Sequence, residues 1–140
     1  MQYPVVIHKD TDSAYGVTVP DLPGCFSAGD TMDEAMSNVV EAIECHVEGL
    51  LLEGEDIPLP QPMDIYYDNP DYEEGIWGVV SVDLSKLSGK ATWINITIPE
   101  RILSKIDTQV AESGGNRSSY LVNAALAYIR NDLVPTKSER

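Results

Sequence analysis

Basic residues are nearly absent from the first 85 positions of this 140-residue chain, where Lys9 stands alone against eighteen Asp and Glu residues and the net charge is −17. Phosphate would repel a region of that charge, which argues against nucleic acid as its partner. Residues 86–140 hold eight basic and five acidic residues, a net charge of +3, and the whole chain carries −14. This asymmetry indicates two regions with different partners.

Long apolar runs are also missing. No stretch approaches the ~20 apolar residues of a membrane span, and charged residues from Lys9 onward interrupt any opening that could resemble a signal peptide. Cysteine is limited to Cys25 and Cys45, both in segments of apolar pattern. We therefore expect a cytoplasmic protein with buried, reduced thiols and no membrane contact.

Residue sets that perform chemistry are lacking too. His8 and His46 have no Ser or Cys partner at a recognisable motif spacing. The carboxylates that could hold a catalytic metal are Asp10, Asp12, Asp21, Asp30 and Glu34. They fall in turns, in a proline loop or at a helix start, and none forms a mid-strand pair. We expect no catalytic residue, no metal and no cofactor.

A short strand is predicted over residues 92–98, where polar and apolar side chains alternate strictly. One face carries the isoleucines Ile94, Ile96 and Ile98, and the other face carries Trp93, Asn95 and Thr97. Pro99 ends the strand and suits the first turn of a helix.

Two helices are predicted after this strand. The first carries Ile102, Leu103, Ile106 and Val110 at helical spacing and stops at the pair of glycines 114–115. Asn116 is a good N-cap for a second helix over about residues 117–132. That helix is apolar on more than one side.

This unit does not fit a monomer, because a lone strand has nothing local to pair with and two helices cannot cover so many apolar side chains. We expect a two-fold dimer in which the strand pairs antiparallel with its twin. The expected dimer core is Ile94, Ile96, Ile98, Ile106 and Leu121.

This region resembles the ribbon-helix-helix DNA-binding family in the order of its features. They are an alternating strand, Pro-Glu, an amphipathic helix, glycine, a polar N-cap and Arg-Ser. The resemblance implies that the strand face of Trp93, Asn95 and Thr97 contacts bases in the major groove. It also implies that the start of the second helix contacts a DNA phosphate, through Asn116, Arg117 and Ser118. Trp93 departs from the basic residue that the family places first.

Residues 1–84 predict a small α+β domain: three strands, a helix that begins at a Thr31–Glu34 capping box, a proline-rich connector and a last strand over residues 76–82. A linker is expected over residues 85–91, which leaves a ribbon-helix-helix domain over residues 92–140.

Three short motifs follow one another in the first region: Asp21-Leu22-Pro23-Gly24-Cys25, then Gly29-Asp30-Thr31, then Glu34-Ala35. With these motifs the sequence resembles the HicB antitoxins, and the resemblance covers nearly the whole chain. The resemblance implies a truncated, ribonuclease-H-like toxin-binding domain. Its implied partners are a HicA-type mRNA-cleaving toxin and the operator DNA of its own operon. Which residues contact the toxin, and whether dimers join into a tetramer, stay open. The alternative is a stand-alone repressor of MetJ type whose first domain senses a small ligand.

Overall fold

The structure is a computed structural model that describes residues 1–9, 11–87 and 92–130. The chain divides into two compact units, Met1–Val82 and a second one that begins at Asp83. Part of the predicted linker, residues 88–91, lies outside the described residues, as does Asp10. The domain limits 1–84 and 92–140 therefore stay a prediction.

The first unit is built on a four-stranded sheet. Its strands are β1 (Gln2–Lys9), β2 (Tyr15–Thr18), β3 (Phe26–Gly29) and β4 (Ile76–Ser81). The spatial order is β3-β2-β1-β4, and each of the three pairings is antiparallel. The predicted small antiparallel sheet is confirmed.

Helix α1 (Met32–Leu52) covers one face of this sheet and crosses from the β3 edge towards the β4 edge. The predicted capping box is present, because the Thr31 hydroxyl accepts a hydrogen bond from the Glu34 amide at 3.1 Å. Four residues at helical spacing are buried: Ala35, Val39, Ile43 and Val47.

A glycine sets the close approach of α1 to the sheet. A Cβ on Gly29 would lie 2.4 Å from the backbone nitrogen of Ala35, so only glycine fits where β3 meets the helix start. The Gly29-Asp30-Thr31 run therefore combines close packing with a helix cap.

The sheet and α1 enclose the core of the first unit. Tyr3, Val5, Val17 and Ile43 have almost no exposed surface. Leu51, in the last turn of α1, is 49% exposed. Cys25 is buried, and burial raises the pKa of its thiol. The predicted burial of Cys45 is wrong, since that residue is exposed on α1.

The proline-rich connector forms neither helix nor strand, as predicted. Two short 3-10 turns follow it, Met63–Tyr66 and Pro70–Tyr72. These turns bring the chain back to the start of β4.

The second unit contains a 3-10 turn (Leu84–Lys86) and the helices α2 (Glu100–Ser113) and α3 (Arg117–Arg130). Both predicted helices are confirmed up to residue 130, beyond which the chain lies outside the described residues. Residues 92–98 form no ladder with any described part of this chain. Among the described helices, none has the length and apolar character needed to cross a membrane.

Candidate nucleic-acid and protein interfaces

The apolar side chains of the second unit are not covered within one chain. Neither α2 nor α3 contains a buried residue. Ile94 is 71% exposed and Ile96 is 58% exposed. Large apolar side chains left in this state favour association.

Four of the five residues predicted for the dimer core line one groove of about 420 Å3, and they are Ile96, Ile98, Ile106 and Leu121. Thr97, Leu103 and Arg117 line the same groove. The four predicted core residues therefore share one surface, and Thr97, from the face predicted to contact bases, borders it as well. Ile94, the fifth residue, does not line the groove and is the most exposed of the isoleucines.

The predicted base-contacting residues are open to solvent. Trp93 is 97% exposed, and Asn95 and Thr97 are also exposed. Nothing in the described chain therefore blocks access to this face of the segment.

The turn between α2 and α3 has the local geometry that its residues predict. Gly114 adopts the left-handed conformation, with φ of 75°, and ends α2. The Asn116 side chain accepts a hydrogen bond from the Ser119 amide at 2.8 Å, and the Asn116 amide donates to the Ser119 hydroxyl at 3.2 Å. The cap satisfies the Ser119 amide, while the amides of Arg117 and Ser118, which have no intrahelical acceptor at a helix start, point in the direction that suits an anion.

Arg117 takes part in a contact that the sequence does not reveal. Its guanidinium donates to both carboxylate oxygens of Asp107 on α2, at 2.8 Å each. This bond lowers the pKa of the Asp107 carboxyl and raises the pKa of Arg117. The ion pair joins the two helices and offsets the positive charge at the start of α3.

Sequence reasoning places Asp21 in a proline loop, and the structure shows it to be a buried anchor in the first unit. It is 6% exposed. Its carboxylate accepts the Gln61 amide at 3.2 Å and the Tyr66 hydroxyl at 2.5 Å. Nearby, the buried Tyr3 hydroxyl donates to the Pro58 carbonyl at 2.8 Å. These bonds fix the proline-rich connector and the turn that follows it.

Four aromatic side chains meet beside this anchor, and we name Tyr66, Tyr67, Tyr72 and Trp77 the aromatic platform. The Trp77 ring stacks on Tyr66 at a centroid distance of 6.4 Å and meets Tyr67 and Tyr72 edge-on at 5.5 and 5.7 Å. Tyr67 is 55% exposed. The sequence analysis did not identify this cluster, although the density of aromatic residues in the stretch was a usable signal.

The candidate metal carboxylates are not assembled into a site. Asp21 is buried in the hydrogen bonds given above, whereas Asp12, Asp30 and Glu34 are exposed. Among the described residues, which exclude Asp10, no group of three or more His, Cys, Asp and Glu side chains could hold a metal ion.

Known proteins resemble the chain over most of its length. A protein of Haemophilus phage HP1, described as an uncharacterized 14.9 kDa protein in the rep-hol intergenic region, is 48% identical over 127 residues, which are 89% of this chain and 95% of that protein. The crystal structure of the Burkholderia pseudomallei antitoxin HicB is 46% identical, with a TM-score of 0.75, and the match covers 90% of this chain and 96% of that one.

A second solved structure contains a toxin as well. It is described as a HicA3 and HicB3 toxin–antitoxin complex, and its matching chain is 38% identical with a TM-score of 0.52, covering 59% of this chain and 99% of that one. The family model for the HicB-like antitoxin of bacterial toxin–antitoxin systems matches residues 3–125. The chain therefore belongs to the HicB-like antitoxins of bacterial toxin–antitoxin systems, which are regulatory proteins and not enzymes.

Proposed function

We propose that the first unit binds and blocks a HicA-type, mRNA-cleaving toxin, while the second unit binds operator DNA as a dimer and represses the chain's own operon. The toxin half of the proposal is supported by family membership and by the relative whose structure is described as a HicA3 and HicB3 complex. The DNA half is supported by the geometry of the second unit.

Charge supplies the physical basis for toxin binding. An enzyme that acts on RNA needs a basic surface for phosphates, and residues 1–85 carry a net charge of −17. Opposite charge speeds encounter and favours the correct partner over others. An acidic surface in contact with the toxin would occupy the place of RNA, so inhibition requires no chemistry.

One observation carries the DNA half: Ile96, Ile98, Ile106 and Leu121 line a single groove although α2 and α3 bury no residue within the chain. A second copy, with its strand paired antiparallel to the first, would cover this groove and join four helices in one core. The paired strands would then form a ribbon of the width that the major groove admits.

On such a ribbon the polar face of the strand would turn towards the DNA. Asn95 can form a bidentate pair with adenine, and Thr97 can contact the methyl group of thymine. The first amides of α3, at Arg117 and Ser118, would hold a phosphate and set the position of the ribbon on the duplex.

Two experiments with the full chain test the two halves separately. Co-expression with its cognate HicA-type toxin should yield a complex that survives size-exclusion chromatography, and the absence of any complex would contradict the toxin half. A gel-shift titration with DNA from upstream of the operon should show binding that competitor DNA of unrelated sequence does not displace. Equal affinity for both DNAs would contradict the operator assignment.

A further inference from the structure

The first unit presents two separate acidic surfaces, and they differ in chemistry. One is the outer face of α1 and its C-terminal cap, with Glu41, Glu44 and Glu48 on the helix and Glu53 directly after it. The other surrounds the aromatic platform and consists of five exposed carboxylates: Asp64, Asp68, Asp71, Glu73 and Glu74. Residues 61–77 contain no Lys, Arg or His.

We propose that the toxin docks on the aromatic platform and its five surrounding carboxylates, and not on the acidic face of α1. This inference rests on the proposed toxin binding and names the surface that performs it. The proposed occupant is the basic, RNA-binding face of a HicA-type toxin.

The position of the platform on the sheet is the first support. The register aligns Phe26, Thr18, Val6 and Trp77 in one row across all four strands. Gly29 faces α1; the alternation of side chains therefore places this row on the opposite sheet face. Phe26, at the far end of the row, is 65% exposed. Trp77 thus lies on the sheet face opposite α1, where Val6 is fully buried beside it and Phe26 is exposed at the far edge.

The platform is also held in place before any partner arrives. Asp21 accepts hydrogen bonds from the Gln61 amide and the Tyr66 hydroxyl. A ring nitrogen of His8 lies 3.0 Å from the Glu73 carbonyl, and a Cβ on Gly75 would lie 2.2 Å from Val6. The segment is therefore held at one end by the loop that carries Asp21 and at the other end by β1. Rigid aromatic side chains lose little conformational entropy on binding, which favours their use at interfaces.

Chemical complementarity distinguishes the two surfaces. Tyrosine and tryptophan are enriched where protein partners make their strongest contacts, and arginine from a basic partner can stack on such rings while pairing with nearby carboxylates. The platform offers rings and carboxylates side by side, whereas α1 contains no Tyr, Trp or Phe. Carboxylates alone are typical of a solvated helix face.

Two sets of charge-neutralising substitutions test the inference, because each removes three carboxylates from one surface. Asp64→Asn/Asp68→Asn/Asp71→Asn alters the platform, and Glu41→Gln/Glu44→Gln/Glu53→Gln is the matched control on α1. The full-length variants are titrated against immobilised cognate HicA-type toxin at two salt concentrations. We expect the platform variant to associate about tenfold more slowly at low salt, and the α1 variant to change less than about twofold.

Tyr67→Ala tests the aromatic contribution without changing charge. Its side chain is more than half exposed, so the fold should persist and circular dichroism should match the wild type. We expect a faster toxin dissociation rate, by about tenfold or more.

An α1 variant that weakens binding as much as the platform variant, or a platform variant with unchanged kinetics, would overturn the inference while leaving the antitoxin function intact. Wild-type chain that binds no toxin would instead overturn the proposed function itself.

Discussion

Asp21 is a carboxylate removed almost entirely from solvent, and its hydrogen bonds explain why the Asp-x-Pro-Gly-Cys run carries an acid at this position. It joins residues 40 and 45 positions further along the chain, Gln61 and Tyr66. A buried charge of this kind must be well supplied with donors, because an unsatisfied one costs considerable free energy. The loop that contains Asp21 is therefore held to the proline-rich connector by long-range hydrogen bonds.

We predict that Asp21→Ala destabilises the first unit by about 1–3 kcal/mol, because it leaves the Tyr66 hydroxyl and the Gln61 amide without their acceptor. Urea unfolding followed by tryptophan fluorescence measures the change, since Trp77 lies against Tyr66. Asp68→Asn, at an exposed position, is the control and should change stability by less than about 0.5 kcal/mol. Equal stability of all three proteins would mean that the Asp21 hydrogen bonds contribute nothing.

The buried Tyr3 and the half-buried Tyr66 predict how stability changes at high pH. Burial raises the pKa of Tyr3 and of Tyr66 above the ordinary value of about 10, and the nearby Asp21 carboxylate raises both further. The folded chain holds these protons more tightly than the unfolded chain. Their stabilising contribution is therefore complete below about pH 10 and is lost as the pH rises from there towards the raised pKa values.

Thermal unfolding between about pH 9 and 11.5 checks this expectation. The melting temperature of the wild type should fall more steeply above pH 10 than that of Tyr3→Phe/Tyr66→Phe, which has no such protons to lose. Parallel curves for the two proteins would contradict the assignment.

Asn95 is the residue on which sequence-specific DNA binding should depend most. Its side chain is exposed and can pair with adenine. We predict that Asn95→Ala lowers operator affinity by about 1–3 kcal/mol and leaves toxin binding unchanged. A gel shift with operator DNA that shows no loss would remove Asn95 from the base-contacting set.

At the scale of elements, the connection from α2 to α3 determines what the start of α3 can offer a phosphate. The reciprocal cap of Asn116 and Ser119 fixes the first turn, and the Asp107–Arg117 pair ties that turn to α2. Arg117 is thereby partly neutralised. The neighbouring carboxylate should weaken any attraction of the arginine side chain to DNA.

Asp107→Asn should release this restraint. We predict tighter nonspecific DNA binding and a salt dependence steeper by about one unit of slope, because a full positive charge then faces the phosphates. Arg117→Ala should change the slope in the opposite direction. Fluorescence anisotropy with labelled duplex at several salt concentrations measures both. Identical slopes for the three proteins would place Arg117 away from the DNA backbone.

Local signals allowed several elements to be predicted from the sequence. The alternation over residues 92–98, the Gly114 stop and the Asn116 cap depend on neighbours within four positions, and the last two appear in the structure as predicted. The aromatic platform and the Asp107–Arg117 pair could not be predicted in the same way. Each joins residues of separate elements, so it depends on how those elements pack and not on a pattern of near neighbours.

At the scale of the whole molecule, the two compact units differ in charge and in how complete their cores are. The first unit buries Tyr3, Leu22 and Ile43 fully, so a single copy has its own core. The helices of the second unit bury no residue. Composition predicted the division of charge, since the acidic and basic residues separate along the sequence. The incomplete core could be predicted because the apolar residues outnumber what two helices can cover.

The central claim is that the second unit completes its core with a second copy of the chain. Sedimentation equilibrium of the full chain tests it most directly, with Ile96→Asp placing a charge in the apolar groove and Asn95→Asp placing the same charge on the neighbouring exposed position. We predict that the wild type and Asn95→Asp have the same associated mass, at least twice that of one chain, and that the mass of Ile96→Asp is half of theirs. A wild-type chain that sediments as a stable monomer, or an Ile96→Asp variant that keeps the wild-type mass, would contradict the account.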